Sequence, residues 1–97
     1  MFDITIRYDR VPVLHMAPAI RRYVERGIPP GHFLCALLSN DLFEAFGRAD
    51  DDNTAAMHAW TIFVYCELPS GCWGSSEVVN AWINTGGLIG QAAKEQV

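Results

Sequence analysis

Phe33-Leu34-Cys35-Ala36-Leu37-Leu38-Ser39-Asn40-Asp41-Leu42-Phe43-Glu44-Ala45-Phe46-Gly47 is the stretch on which the fold class turns. Phe33, Leu34, Leu37, Leu38, Leu42, Ala45 and Phe46 recur at steps of three and four residues, the single apolar stripe of an amphipathic helix. The spacing predicts one continuous helix that stops at Gly47. Ser39, Asn40 and Asp41 fall inside it, where short polar side chains compete for backbone hydrogen bonds. Two reasons for their presence stay open: Asn40 and Asp41 point at a ligand, or they bond the following Gly47-Arg48-Ala49-Asp50 turn and lock two helices together.

Upstream, Ile28-Pro29-Pro30-Gly31 reads as a rigid turn. Before it, about Met16 to Arg26 forms a short helix with Ile20, Tyr23 and Val24 inward and Gly27 as its left-handed cap. Further upstream, Phe2, Ile4, Ile6 and Tyr8 alternate with Asp3, Thr5 and Arg7, a strand pattern. No second strand follows, so this segment is expected to lie against helices or to pair with another chain. Downstream, Asp50, Asp51 or Asp52 caps a helix whose inward face is read as Ala55, Ala59, Ile62, Phe63 and Cys66, with Trp60 and Val64 flanking, ending at Pro69. Ser75 or Ser76 caps a last helix with Val78, Val79, Trp82 and Ile83 inward, closed by Gly86-Gly87. The expected fold is mainly α: a compact bundle of about four helices with a short extended N-terminal strand. A single domain covers 1–97, with an extended segment at 1–17, a helical core at 18–88 and a fraying tail at 89–97.

Composition is consistent with this. At 97 residues, 51% hydrophobic and 19% charged, with a mean hydropathy of +0.11, the chain has enough apolar surface to offset its conformational entropy. Its longest apolar runs fall far short of the roughly 20 residues a bilayer demands, and Met1-Phe2-Asp3 lacks a signal-peptide layout, so no membrane association is expected. Three cysteines without CxxC spacing fit reduced thiols in a cytoplasm better than a disulfide framework.

The net charge of −4 is unevenly divided. Met1–Pro30 holds Arg7, Arg10, Arg21, Arg22 and Arg26 against Asp3, Asp9 and Glu25. After Pro30 the only cations are Arg48 and Lys94, facing eight acids. General duplex DNA binding, which takes several clustered cations, is not expected. Asp50-Asp51-Asp52-Asn53 lacks the alternating ligands and central glycine of a calcium loop and reads as helix capping. His32, Cys35, Cys66 and Cys72 do not form a recognised zinc spacing, and a Cys–His catalytic pair has no sequence support, so neither metal nor cofactor is expected. Trp73, between Gly71 and Gly74, suits stacking on a base or anchoring a protein contact, and equally plugging the end of the bundle.

With Tyr23-Val24-Glu25-Arg26-Gly27-Ile28-Pro29-Pro30-Gly31, Phe33-Leu34, Leu38-Ser39-Asn40-Asp41-Leu42, Gly47-Arg48-Ala49-Asp50 and Cys72-Trp73-Gly74-Ser75, the chain resembles a family of small uncharacterised proteins encoded by tailed phages and prophages. The likeness spans about Ile20 to Leu88 and brings no catalytic residues with it. It implies an accessory product acting in the cytoplasm of an infected bacterium, and such products often inhibit host defence. The expected function is thus a non-enzymatic binding protein that counteracts a defence system, by occupying an effector such as a CRISPR complex or by sequestering a nucleotide signal. For a nucleotide, Arg21, Arg22, Arg26 and Arg48 would hold phosphates while Tyr23 or Trp73 stacks the base. For a basic effector, the acidic run from Asp41 to Asp52 would imitate nucleic-acid phosphates. The alternative is a structural or regulatory phage protein acting through homo-oligomerisation or by binding a host factor.

Overall fold

Asn40 adopts φ 60°, and at that residue the long predicted helix breaks in two. The computed structural model describes residues 6–95. Within them seven α-helices follow one another: α1 (Ala17–Arg26), α2 (His32–Leu38), α3 (Leu42–Arg48), α4 (Asp51–Ala55), α5 (Met57–Glu67), α6 (Ser76–Thr85) and α7 (Gly87–Glu95). Short 3-10 turns occupy Tyr8–Arg10, Leu14–Met16 and Ser70–Cys72. The mainly α expectation holds, with more helices than the expected four and no strand among the described residues. Of the expected strand, Phe2–Thr5 lies outside the described residues. Ile6 and Arg7 are not in a strand, and Tyr8 opens a 3-10 turn whose carbonyl accepts from Val11 N–H at 3.2 Å. No described helix is long and apolar enough to cross a membrane.

The break between α2 and α3 has a local cause. Asparagine tolerates the left-handed region because its side chain is short and polar. There the amides of Asn40 and Asp41 turn back onto the carbonyls of Leu37 and Ala36 at 3.1 and 3.0 Å. The Asp41 carboxylate then accepts from Glu44 N–H at 3.3 Å and starts α3. The two short helices pack on each other as a hairpin. Reversal of the chain swings α3 out of the predicted stripe: Ala45 alone of its residues is buried, while Leu42 and Phe46 face outward.

Elsewhere the caps fall where the side chains allow them. Gly27 ends α1 at φ 71°, Asp50 accepts from Asn53 N–H at 2.8 Å to begin α4, and Ser75 accepts from Val78 N–H at 3.1 Å to begin α6. Pro69 closes α5 by following its C-cap Leu68. The inward face of α5 keeps Phe63 from the expected set and otherwise differs from it. Met57, Trp60, Phe63 and Val64 are buried, whereas Ala55, Ala59, Ile62 and Cys66 are exposed. This segment is apolar nearly all round, so periodicity does not fix which side turns inward; the largest ring does, because burying Trp60 removes the most apolar area from water.

Trp60 is fully buried, edge-on to Phe33 at 6.0 Å and to Phe63 at 6.2 Å, and its indole N–H donates to the buried Asn53 side chain at 2.9 Å. A second tie joins α6 to α1, where the Trp82 indole N–H donates to the carbonyls of Tyr23 and Val24 at 3.0 and 3.2 Å. Through Glu95 the predicted tail is instead the body of α7, which packs on α1, while Gln96 and Val97 lie outside the described residues. That crossing depends on Gly87, whose φ is 69° and where a Cβ would stand 2.6 Å from the Glu25 backbone carbon and 2.7 Å from the Arg26 nitrogen.

Candidate functional site

Phe43 is 88% exposed, the most exposed large apolar side chain in the described structure, and its neighbours Leu42 and Phe46 on α3 are exposed to 59% and 45%. Their exposure follows from the Asn40 turn, which spends α3's apolar potential on solvent. Full burial of a phenylalanine is worth about 1.5–3 kcal/mol, a contribution that Phe43 withholds from the fold. An isolated exposed apolar residue is ordinary, but three on one seven-residue helix form a patch of the kind that marks an interaction surface.

Beside the patch, the α2–α3 hairpin and α5 enclose two adjoining recesses. One, of about 70 Å³, has Leu37, Ala45 and Met57 beneath Asn40, Asp41 and Leu42. The other, of about 150 Å³, runs from Leu37 and Val64 to Tyr65 and Trp73. Leu37, Asn40 and Thr61 belong to both, so the recesses form one groove with an apolar floor. Tyr65 and Trp73 make its far wall, with ring centroids 5.8 Å apart at 49°. The Trp73 indole N–H is buried and has no hydrogen-bond partner among the described residues.

Charge around the patch is acidic. Asp41, Glu44, Asp50, Asp51 and Asp52 are all exposed on α3, α4 and the link between them. Arg48 offsets one of these, pairing with Glu44 at 2.7 Å one turn apart. Asp41 and Asp50 each hold a helix cap while keeping their charge at the surface. The turn from Gly47 to Asp50 is not locked by Asn40 or Asp41, since the Asp41 carboxylate serves its own helix.

The predicted residues therefore separate. Asn40, Asp41 and Trp73 line the groove, and Arg48 and Asp50 lie on the acidic side. Arg21, Arg22 and Arg26 are exposed on α1, which packs on α7 and the N-terminal 3-10 turns, and none of them lines the groove. Arg21 pairs with Glu25 at 3.2 Å and lies over the Tyr8 ring at 5.7 Å. Tyr23 is fully buried and donates its hydroxyl to the Cys72 carbonyl at 2.6 Å, so it has no face to offer a base. Leu42, Phe43, Phe46 and Tyr65 were missed as site residues. Phe43 carried the available signal, an aromatic one position off the apolar stripe.

The thiols of Cys35 and Cys72 do not resemble activated nucleophiles. Burial pushes the Cys72 thiol up to about 12 and raises that of Cys35, the opposite of what nucleophilic catalysis requires. The exposed thiol is that of Cys66, contrary to its expected place on the core face. Among the described residues no three His, Cys, Asp or Glu side chains gather in a way that could hold a metal ion.

In comparisons with known proteins, the chain matches no protein-family model, no curated protein and no solved structure.

Proposed function

We propose that this chain is a non-enzymatic binding protein that presents the exposed α3 face, with its acidic surround, to a basic surface on a partner protein. The carrying observation is the placement of Leu42, Phe43 and Phe46 among Asp41, Glu44 and Asp50–Asp52. Aromatic anchors supply the affinity of an interface, and a like-signed rim steers an oppositely charged partner toward it. Within the phage setting suggested by the sequence signature, the partner is a nucleic-acid-binding effector of bacterial defence in the host cytoplasm, and the protein counteracts that defence by occupying its basic groove.

Nucleotide sequestration is less well supported, because none of the α1 arginines lines the groove that holds Trp73 and Tyr23 is internal. A structural or regulatory role through self-association has one observation in its favour, the unburied apolar side of α5. The test is to express the protein in bacterial strains carrying defined defence systems and to challenge each with a sensitive phage. Recovery of plaquing by at least about tenfold is expected with wild type in one or more strains, and its loss with Phe43→Asp. Unchanged plaquing in every strain overturns the anti-defence reading, and capture of no basic partner by the purified protein overturns the docking reading itself.

A further inference from the structure

Helix α5 is apolar on both of its sides. The inner side, carrying Met57, Trp60, Phe63 and Val64, belongs to the core. The outer side carries Ala59, Ile62 and Cys66, preceded by Ala55 on α4, and all four are exposed. Within α5 their spacing is three and four residues, the step pattern of a helix–helix seam, and no Asp, Glu, Lys or Arg occurs from Met57 to Cys66. A helix without a charged face is normally covered on both sides. Here the outer side instead borders a shallow recess of about 440 Å³, running past His58, Ala59 and Ile62 to Cys66 and bounded by Arg10 and Glu67, which pair at 3.1 Å.

The charges at the two ends of this seam identify its occupant. Exposed Arg10, paired with Glu67 of its own chain and with part of its guanidinium still open to solvent, stands at the Cys66 end, while exposed Asp51 and Asp52 on α4 precede the Ala55 end. Two copies laid antiparallel along α5 bring the cation of each to the acids of the other. A parallel arrangement would instead set Asp51 and Asp52 of the two copies against each other. Small side chains at Ala55 and Ala59 permit close approach of the helices, within the usual 8–10 Å between axes.

We propose that a second copy of this chain covers the outer face of α5, by antiparallel pairing about a two-fold axis near Ala59 and Ile62, with Arg10 of each copy facing Asp51 and Asp52 of the other. Along α5 from Ala59 to Cys66 the seam is about 10 Å long, so the contact is small and the dimer weak and concentration-dependent. The pairing makes no use of α3 and stands apart from the docking of a basic partner.

Sedimentation velocity of the reduced full chain from about 10 µM to about 1 mM tests it, a range suited to a weak self-association. A rising dimer fraction is expected, weakened at least about tenfold by Ile62→Glu with unchanged helical circular dichroism and urea midpoint. Arg10→Glu is expected to weaken dimerisation as well, and adding Asp51→Arg and Asp52→Arg to the same chain to restore it. Loss of the Arg10–Glu67 pair within one chain would not be repaired by those two changes, so restoration reports the contact between copies. A monomer throughout the range, or a dimer indifferent to Ile62→Glu, overturns the proposal; charge exchange without restoration overturns the antiparallel arrangement.

Discussion

The Tyr23 hydroxyl donates to the Cys72 carbonyl across 2.6 Å, joining α1 to the 3-10 turn between α5 and α6 wholly inside the core. A buried carbonyl deprived of its donor retains the cost of desolvation without compensation. Tyr23→Phe keeps the ring and removes only the hydroxyl. It is expected to cost about 1–3 kcal/mol, read as a lower urea midpoint at neutral pH with an unchanged slope.

The same pair confers sensitivity to alkali. Burial raises the Tyr23 hydroxyl and pushes the Cys72 thiol from its ordinary 9.0 to about 12, so both stay protonated in the folded protein after their unfolded counterparts have ionised. Between about pH 9 and 12 the folded chain holds more protons than the unfolded chain, and stability falls as pH rises. Below pH 9.0 the Cys72 contribution is complete. Urea midpoints under reducing conditions are expected to drop from neutral pH to about pH 10.5, and by less in Cys72→Ala, whose remaining drop comes from Tyr8, Tyr23 and Cys35.

Asn53 accepts the Trp60 indole N–H at 2.9 Å, and both residues are buried. Asn53→Ala leaves that donor unpaired beside Phe33 and Phe63. A loss of about 1–3 kcal/mol is expected by chemical denaturation. Phe43→Asp, by contrast, alters a side chain in solvent and is expected to stay within about 0.5 kcal/mol of wild type.

Gly87 and Gly47 respond oppositely to alanine. At Gly87 the added carbon meets the backbone of Glu25 and Arg26 at φ 69°, whereas at Gly47, inside α3, nothing lies within 4 Å. Gly87→Ala is expected to lower stability by at least about 2 kcal/mol and to free α7 for proteolysis, combining left-handed strain with a backbone clash. Gly47→Ala is expected to be neutral or to stabilise by up to about 1 kcal/mol.

Alkylation should order the thiols by access. Cys66 is exposed, Cys35 half-buried with a raised thiol, and Cys72 buried. Native protein treated with iodoacetamide is expected to label at Cys66 first, at Cys35 more slowly, and at Cys72 only after denaturant is added; mass spectrometry of the peptides reads the order.

The helix ends were legible because each rests on one residue's own chemistry. Gly27 supplies a left-handed cap, Asp50 and Ser75 accept amide hydrogens, and Pro69 cannot continue a helix. At Asn40 the local signal was visible but contradicted by a strong apolar period, and the turn prevailed because α2 and α3 gain by packing on each other. Gly90 to Val97 looked too polar to hold structure by itself, yet through residue 95 the chain is helical because α1 offers a surface that Gly87 lets it approach. Of the site, the acids, Asn40 and Trp73 were nameable from the chain, while their union with Leu42, Phe43 and Tyr65 was not.

Class, caps and the unequal charge of the two halves are thus properties of the sequence, since each depends on contacts a few residues apart or on none. Which apolar residues remain in water is a property of the tertiary structure. Met57 to Cys66 offers two apolar faces and Leu42 to Phe46 offers another, and more apolar side chain exists than one small core can enclose. Competition for that core, settled by the ring of Trp60 on one helix and by the Asn40 reversal on another, left Ile62 and Phe43 outside, where partners can reach them.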